Sequence, residues 1–146
     1  MFKKIGVASD HAGYELKTRL VRYLELLGCE VRDYGAFSGE SSDYPDFAHP
    51  LALSVEKGDD EIGITICGSG NGINMTVNKH QGIRAAICWT TEIAVLARKH
   101  NNANICSLPA RFITESEAQS IIRAFLESDF EGGRHERRIK KIPYTC

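Results

Sequence analysis

The sequence predicts a doubly wound α/β domain: a five-stranded parallel sheet with helices on both faces and a C-terminal helical arm. Three observations carry this. Short β-branched or apolar runs alternate with stretches whose apolar residues recur at helical spacing, from Ile5 through to Ile139. The connections are mostly brief, as in strand, helix, strand units joined by right-handed crossovers. A strand, a turn of alternating glycines and a helix follow one another in EIGITICGSGNGINMTVNK, Glu61 to Lys79, the stretch on which the rest is organised. At 146 residues, 42% hydrophobic and 25% charged, the chain suits one domain over 1–146.

Ile5, Val7 and Ala8 make a first strand, and Ser9 to Gly13 is the turn after it. Leu16, Leu20, Leu24 and Leu27 then recur at helical spacing until Gly28 stops the helix. Cys29 to Tyr34 reads as the second strand, with Val31 its clearest core residue, and a polar loop runs from Gly35 to Asp43. Pro45 suits the first turn of a helix through Phe47, Ala48, Leu51, Ala52 and Val55, ending at Gly58. Ile62, Ile64 and Ile66 mark the central strand, and the glycine turn leads into a helix through Ile73, Met75, Thr76 and Val77.

Ile83 to Cys88 gives a fourth strand, and Thr90 or Thr91 caps a helix bearing Ile93, Leu96 and Ala97 that ends near His100, Asn101 and Asn102. Ala103 to Leu108 is the fifth strand. Thr114-x-x-Glu117 is a capping box opening a helix with Ala118, Ile121, Ile122, Phe125 and Leu126. A short basic helix with Arg134, Arg138 and Ile139 follows Gly132-Gly133.

Strand, glycine turn and helix in that order aim backbone N–H groups at the mouth of the turn, where an anion or a developing oxyanion is the natural guest. Helix N-termini also favour thiolates, so Cys67 at the junction reads as a proton-abstracting base. The competing reading is packing, because a cysteine ending an apolar strand is more often core than catalyst. The alternation Gly68, Ser69, Gly70, Asn71, Gly72 favours function, since packing alone seldom needs three alternating glycines.

Several classes are disfavoured. A dinucleotide fingerprint would need its third glycine where Ile73 stands, and GIRAAICW ends without the acidic residue that grips a ribose. No Walker phosphate loop occurs. A formal charge of -1 gives no reason to expect nucleic acid or a membrane surface, no apolar run is long enough to span a bilayer, and the N-terminus lacks the apolar core of a secretory signal. A cytoplasmic location is the expectation. Cys29, Cys67, Cys88, Cys106 and Cys146 lack any C-x-x-C, and His11, His49, His80, His100 and His135 lack an H-x-x-x-H spacing. Neither a disulfide framework nor a metal is expected.

In such a sheet ligands bind outside the carboxyl ends of the strands. This singles out Asp10 and His11 after the first strand, Tyr44 beyond the second, Cys67 to Gly72 after the third and Arg111 beyond the fifth, with His100 and Asn101 at the far end of a helix. Taken together, SDHAG at Ser9 to Gly13, DYPDFA at Asp43 to Ala48, ICGSGNGI at Ile66 to Ile73, KHNNANI at Lys99 to Ile105 and EGGRHERR at Glu131 to Arg138 resemble one family. It is the B type of ribose-5-phosphate isomerase, within the group that also holds the galactose-6-phosphate isomerase subunits.

The resemblance implies a Rossmann-like fold and a metal-free, cofactor-free interconversion of ribose 5-phosphate and ribulose 5-phosphate by homodimers whose active sites are shared between subunits. It makes Cys67 the base that moves a proton between C2 and C1. Ser69 and the amides of the Gly68, Gly70, Asn71 and Gly72 turn hold the enediolate oxygens beside Asp10. His100 opens the furanose ring, Tyr44 and Asn101 position the sugar, and His11, Arg111, Arg134 and Arg138 receive the phosphate. Some relatives use a glutamate a few positions on; this turn offers Asn74 and Met75 there, so Cys67 stands alone. Ser69 replaces a frequent threonine.

The residues keep other readings open. Asp10 also suits a helix cap, His100 a helix C-terminus, Tyr44 packing before Pro45, and the basic cluster from Arg134 to Lys141 a solvated face. The same residues would serve an isomerase of galactose 6-phosphate or allose 6-phosphate, and a silent sugar-phosphate binding module or thiol redox sensor is the rival from another class. Pairing of dimers into tetramers is left open, and the arm after Gly132-Gly133 is the candidate for reaching a neighbouring subunit.

Overall fold

Strands β1 (Lys4–Ser9), β2 (Glu30–Asp33), β3 (Ile62–Cys67), β4 (Ala85–Ile87) and β5 (Ile105–Pro109) lie parallel in the spatial order β2-β1-β3-β5-β4. The structure, a computed structural model, describes residues 2–144, so Cys146 lies outside the described residues. A 3-10 turn (His11–Gly13) leads into α1 (Tyr14–Leu26), and α2 (Tyr44–Lys57), α3 (Asn71–Val77), α4 (Thr91–Asn101), α5 (Glu115–Glu127) and α6 (Arg134–Ile139) follow.

The strand order fixes where the helices go. A right-handed crossover from β1 outward to β2 and one from β2 back across β1 to β3 must lie on opposite faces. Accordingly α1, α4 and α5 bury Leu20, Leu24, Ala94, Ala97, Ile121, Ile122 and Phe125 against one face, with Ile5, Val7, Ile64 and Leu108. On the other face α2 and α3 bury Ala48, Leu51, Ala52, Ile73 and Val77 against Ala8, Cys67 and Ile105. Every residue of β3 is buried, as expected for a central parallel strand covered on both sides. Full burial of a side chain such as Phe125 contributes about 1.5–3 kcal/mol.

The direction of chain travel reverses between β1 and β3. A doubly wound sheet opens a crevice at that point, because the two connections leave towards opposite edges. Ser9 and Ile66 pair at the ends of these strands, and Asp10 and Cys67 follow directly.

Some elements depart from the sequence expectation. The second strand is Glu30–Asp33 rather than Cys29 to Tyr34, and it sits at the sheet edge with Val31 only half-buried. The fourth is cut to Ala85–Ile87, since Ile83 N bonds back to His80 O and Arg84 N to Asn104 Oδ1. The fifth runs on to Pro109 instead of starting at Ala103. Ile93 and Leu96 of α4 are exposed, because the buried face of that helix is formed by Ala94, Ala97 and Arg98. The capping box at Thr114 and Glu117 forms as expected.

Candidate active site

The turn after β1 is shaped by Asp10, whose Oδ1 accepts from Ala12 N at 2.9 Å and Gly13 N at 3.1 Å. That leaves Oδ2 of a buried carboxylate for a ligand. Gly13 is required by the close approach to β3, since a β-carbon there would lie 2.7 Å from the Ile66 carbonyl oxygen. His11 is anchored to the loop before α2: Ser42 Oγ accepts from its backbone N–H, and its Nδ1 lies 3.2 Å from both Ser42 N and Ser42 O.

After β3 the chain turns through Gly70, at φ 76°, into α3. Ser69 Oγ accepts from Asn71 N at 3.3 Å, bracing the turn that enters that helix. Beneath it runs a buried hydroxyl chain. Ser107 Oγ donates to Asn74 Oδ1 at 3.0 Å, so Thr65 Oγ1, 2.7 Å away, donates to Ser107. Its effect is to tie α3 to β3 and β5. The segment after β5 is fastened to the same turn, with Ala110 N bonded to Cys67 O and Arg111 N to Gly68 O. The Arg111 guanidinium lies over Gly68, where a β-carbon would meet Nη1 at 3.2 Å, and it makes no ion pair among the described residues.

These elements enclose a crevice of about 530 Å³, lined by Asp10, His11, Ala12, Tyr44, Cys67, Gly68, Ser69, Gly72, Arg111 and Phe112. That lies within the roughly 300–1,000 Å³ usual for small-molecule sites. A thiol, a carboxylate, a phenol, an imidazole and a guanidinium thus face one space. Such a set can hold an anion at one end and move a proton at the other.

The remaining expected residues lie elsewhere. His100 and Asn101 end α4, which runs back from the crevice end of the sheet to the opposite edge. Asn101 lines a separate cavity with Arg84 and Ile142. Arg134 and Arg138 belong to α6, which packs on α4 of the same chain, where the His100 and His135 rings stack at 4.2 Å and 11°. Glu131 reaches both imidazoles, its Oε2 lying 3.9 Å from His100 Nε2 and 3.8 Å from His135 Nε2. Burial, then the neighbouring His100 and Arg134, hold His135 below the usual histidine value, with Glu131 opposing.

Ser42, Phe112, Glu131 and His135 were not singled out by sequence reasoning. Glu131 and His135 stand inside the EGGRHERR motif, where a carboxylate just ahead of a short helix and an imidazole four residues on is the available signal. His49 and His80, read as ordinary residues, pair with each other at 2.9 Å outside the crevice.

Sheet order and crevice place the chain among the doubly wound α/β proteins whose ligand site lies at the switch point. Within that class it belongs to the Ribose/Galactose Isomerase family, whose model matches residues 5–142. It is 41% identical to ribose-5-phosphate isomerase B of Escherichia coli over 140 residues, covering 96% of this chain and 94% of the relative. A ribose 5-phosphate isomerase from Thermotoga maritima superposes with a TM-score of 0.95 at 48% identity, over 97% of both chains. Ribose-5-phosphate isomerase B of Mycoplasma genitalium, solved with bound ribulose-5-phosphate, gives a TM-score of 0.90 at 45% identity over 94% and 92% of the two chains.

Proposed function

We propose that this chain is an aldose-ketose isomerase interconverting ribose 5-phosphate and ribulose 5-phosphate through an enediolate. One observation carries the reading: in a member of this family, Cys67, Asp10, Tyr44, His11 and Arg111 converge with the glycine turn on one crevice. Cys67 moves the proton between C2 and C1, a step to which a positioned base contributes about 10²- to 10⁴-fold. Ser69, the amides of Gly68 to Gly72 and Asp10 hold the enediolate oxygens. Each such donor is worth on the order of 3 kcal/mol at the transition state. His11 and Arg111 receive the phosphate.

A second copy of the chain completes the site in this reading. The sugar arrives largely as a closed ring and needs a second acid/base group, the role of His100, while Asn101, Arg134 and Arg138 bring further donors. All four lie away from the crevice of their own chain, so they serve the partner's. Trp89, Ile93, Leu96 and Phe112 are large, apolar and exposed, with Phe112 at the crevice itself. These side chains form the surface that a homodimer would cover. A cytoplasmic, cofactor-free enzyme is the corresponding whole.

The test is turnover of ribose 5-phosphate by purified protein without added metal, repeated with EDTA and with Cys67→Ala. Chelator-insensitive activity lost with the thiol is the expected result. Activity on six-carbon sugar phosphates alone would move the substrate, and activity on neither would leave a binding module.

A further inference from the structure

We propose that His100, Glu131 and His135 form a binding site for a borderline divalent transition-metal ion, such as Zn²⁺ or Co²⁺, and that the bound ion silences His100. Three donor atoms from three parts of the chain converge there: the end of α4, the connection after α5, and α6. Both imidazole Nε2 atoms lie within 3.9 Å of one carboxylate oxygen, and all three ligand atoms lie within 4.8 Å of one another.

Bonds of about 2.0–2.1 Å to a tetrahedral ion place neighbouring ligand atoms about 3.3 Å apart. The His100 and His135 rings stack nearly parallel, so a shared ion requires the half-exposed His100 ring to turn out of the stack, and both His100 and Glu131 are exposed enough to turn. The backbone already holds the frame, since Glu131 N donates to Lys99 O and α6 begins only three residues beyond Glu131.

The surroundings choose the class of ion. Lys99 Nζ sits 3.7 Å from the other Glu131 oxygen, and Arg134 and Arg138 flank His135. One carboxylate among these cations is a poor host for Mg²⁺ or Ca²⁺, which want several oxygens. Two imidazoles and a carboxylate instead suit Zn²⁺, Co²⁺, Ni²⁺ or Cu²⁺, and they leave open coordination positions. No spacing in the sequence revealed this set, because Glu131 and His135 meet His100 only through the packing of α6 on α4.

An ion held through His100 Nε2 occupies the lone pair that ring opening would use. That consequence rests on the function proposed above, whereas the binding does not. Co²⁺ titrated into the full-length protein and followed by visible absorption is expected to report one ion per chain. His135→Gln and Glu131→Gln should each weaken binding by more than the roughly 10- to 100-fold that loss of a merely supporting group costs. Cys67→Ala should keep it, which separates this site from a thiol site in the crevice. Zn²⁺ should lower ribose 5-phosphate turnover reversibly with EDTA, and His135→Gln should resist the inhibition.

No Co²⁺ binding, binding that survives both substitutions, or binding lost with Cys67 overturns the site. Binding without inhibition overturns the silencing. A chain with no turnover on any sugar phosphate removes the proposed function and still leaves the Co²⁺ titration to decide the site.

Discussion

Tyr44 packs against Gly72, so close that a β-carbon on Gly72 would collide with Tyr44 Cζ and stand 2.7 Å from its hydroxyl oxygen. The first residue of α2 is thereby located by the first turn of α3, across the mouth of the crevice.

Gly72→Ala therefore tests the geometry while leaving every proposed reacting side chain in place. Alanine favours the helix by about 1 kcal/mol over glycine, and overpacking costs about 1–3 kcal/mol, so stability should fall by no more than about 2 kcal/mol. Turnover should not be spared, because a displacement of about 1 Å near the chemistry costs on the order of 100-fold in kcat/KM. Adding Tyr44→Ala should relieve the clash and leave turnover low. Wild-type kcat/KM in Gly72→Ala would show that Tyr44 has no positioning role.

The same contact shows what the sequence conveys and what it withholds. Glycine alternation at Gly68, Gly70 and Gly72 announces a turn because a local backbone requirement leaves a local trace. Strand β3, buried along its whole length, is legible for the same reason. The partner of Gly72 is not legible, since Tyr44 stands 28 positions earlier in the chain and reaches it only by packing. Val31 misleads because an edge strand and a central one share β-branched residues, and only the sheet order decides between them. Ile93 and Leu96 look like core at helical spacing, yet an exposed apolar face has the same spacing.

Lys17 is fully buried beside Asp33, with Nζ 2.5 Å from Oδ1 and the Tyr14 and Phe37 rings 5.8 and 5.4 Å away. Asp33 Oδ1 also accepts from Gly35 N, the start of the loop that carries Ser42 to His11. Removing one partner of a buried pair costs about 3–5 kcal/mol because the other charge stays buried and uncompensated, so the loss is larger when the buried ion is left behind than when the partly exposed one is. With Asp33 about one-third exposed, Asp33→Ala should cost about 2–3 kcal/mol, and Lys17→Met less than about 1 kcal/mol. Urea unfolding of both variants checks the order; a larger loss in Lys17→Met would refute it.

Acid should weaken the fold partly through Glu61. Its Oε2 accepts from Lys3 N at 2.7 Å and Lys4 N at 2.9 Å, and these bonds hold its carboxyl below the ordinary 4.5. A depressed folded value means that the unfolded chain binds the proton more readily. The contribution is therefore fully present above about 4.5 and is lost as pH falls through the folded value. Glu61→Gln should show a shallower fall in Tm than wild type between about pH 6 and pH 3.5. Parallel curves for the two proteins would remove Glu61 from the acid limb.

The distance of His100 from the crevice of its own chain yields the sharpest test of a shared site. Cys67→Ala and His100→Ala should each be inactive as separate proteins. In a mixed dimer one site lacks both groups, while the other combines an intact Cys67 with an intact His100. Unfolding and refolding an equal mixture should therefore recover about a quarter of wild-type turnover, because random reassortment of a two-fold dimer makes half the dimers mixed, each with one whole site. If both groups acted within one chain, mixing would recover nothing. Size-exclusion chromatography of the same mixture shows that dimers formed, so an absence of recovery would count against sharing and not against assembly.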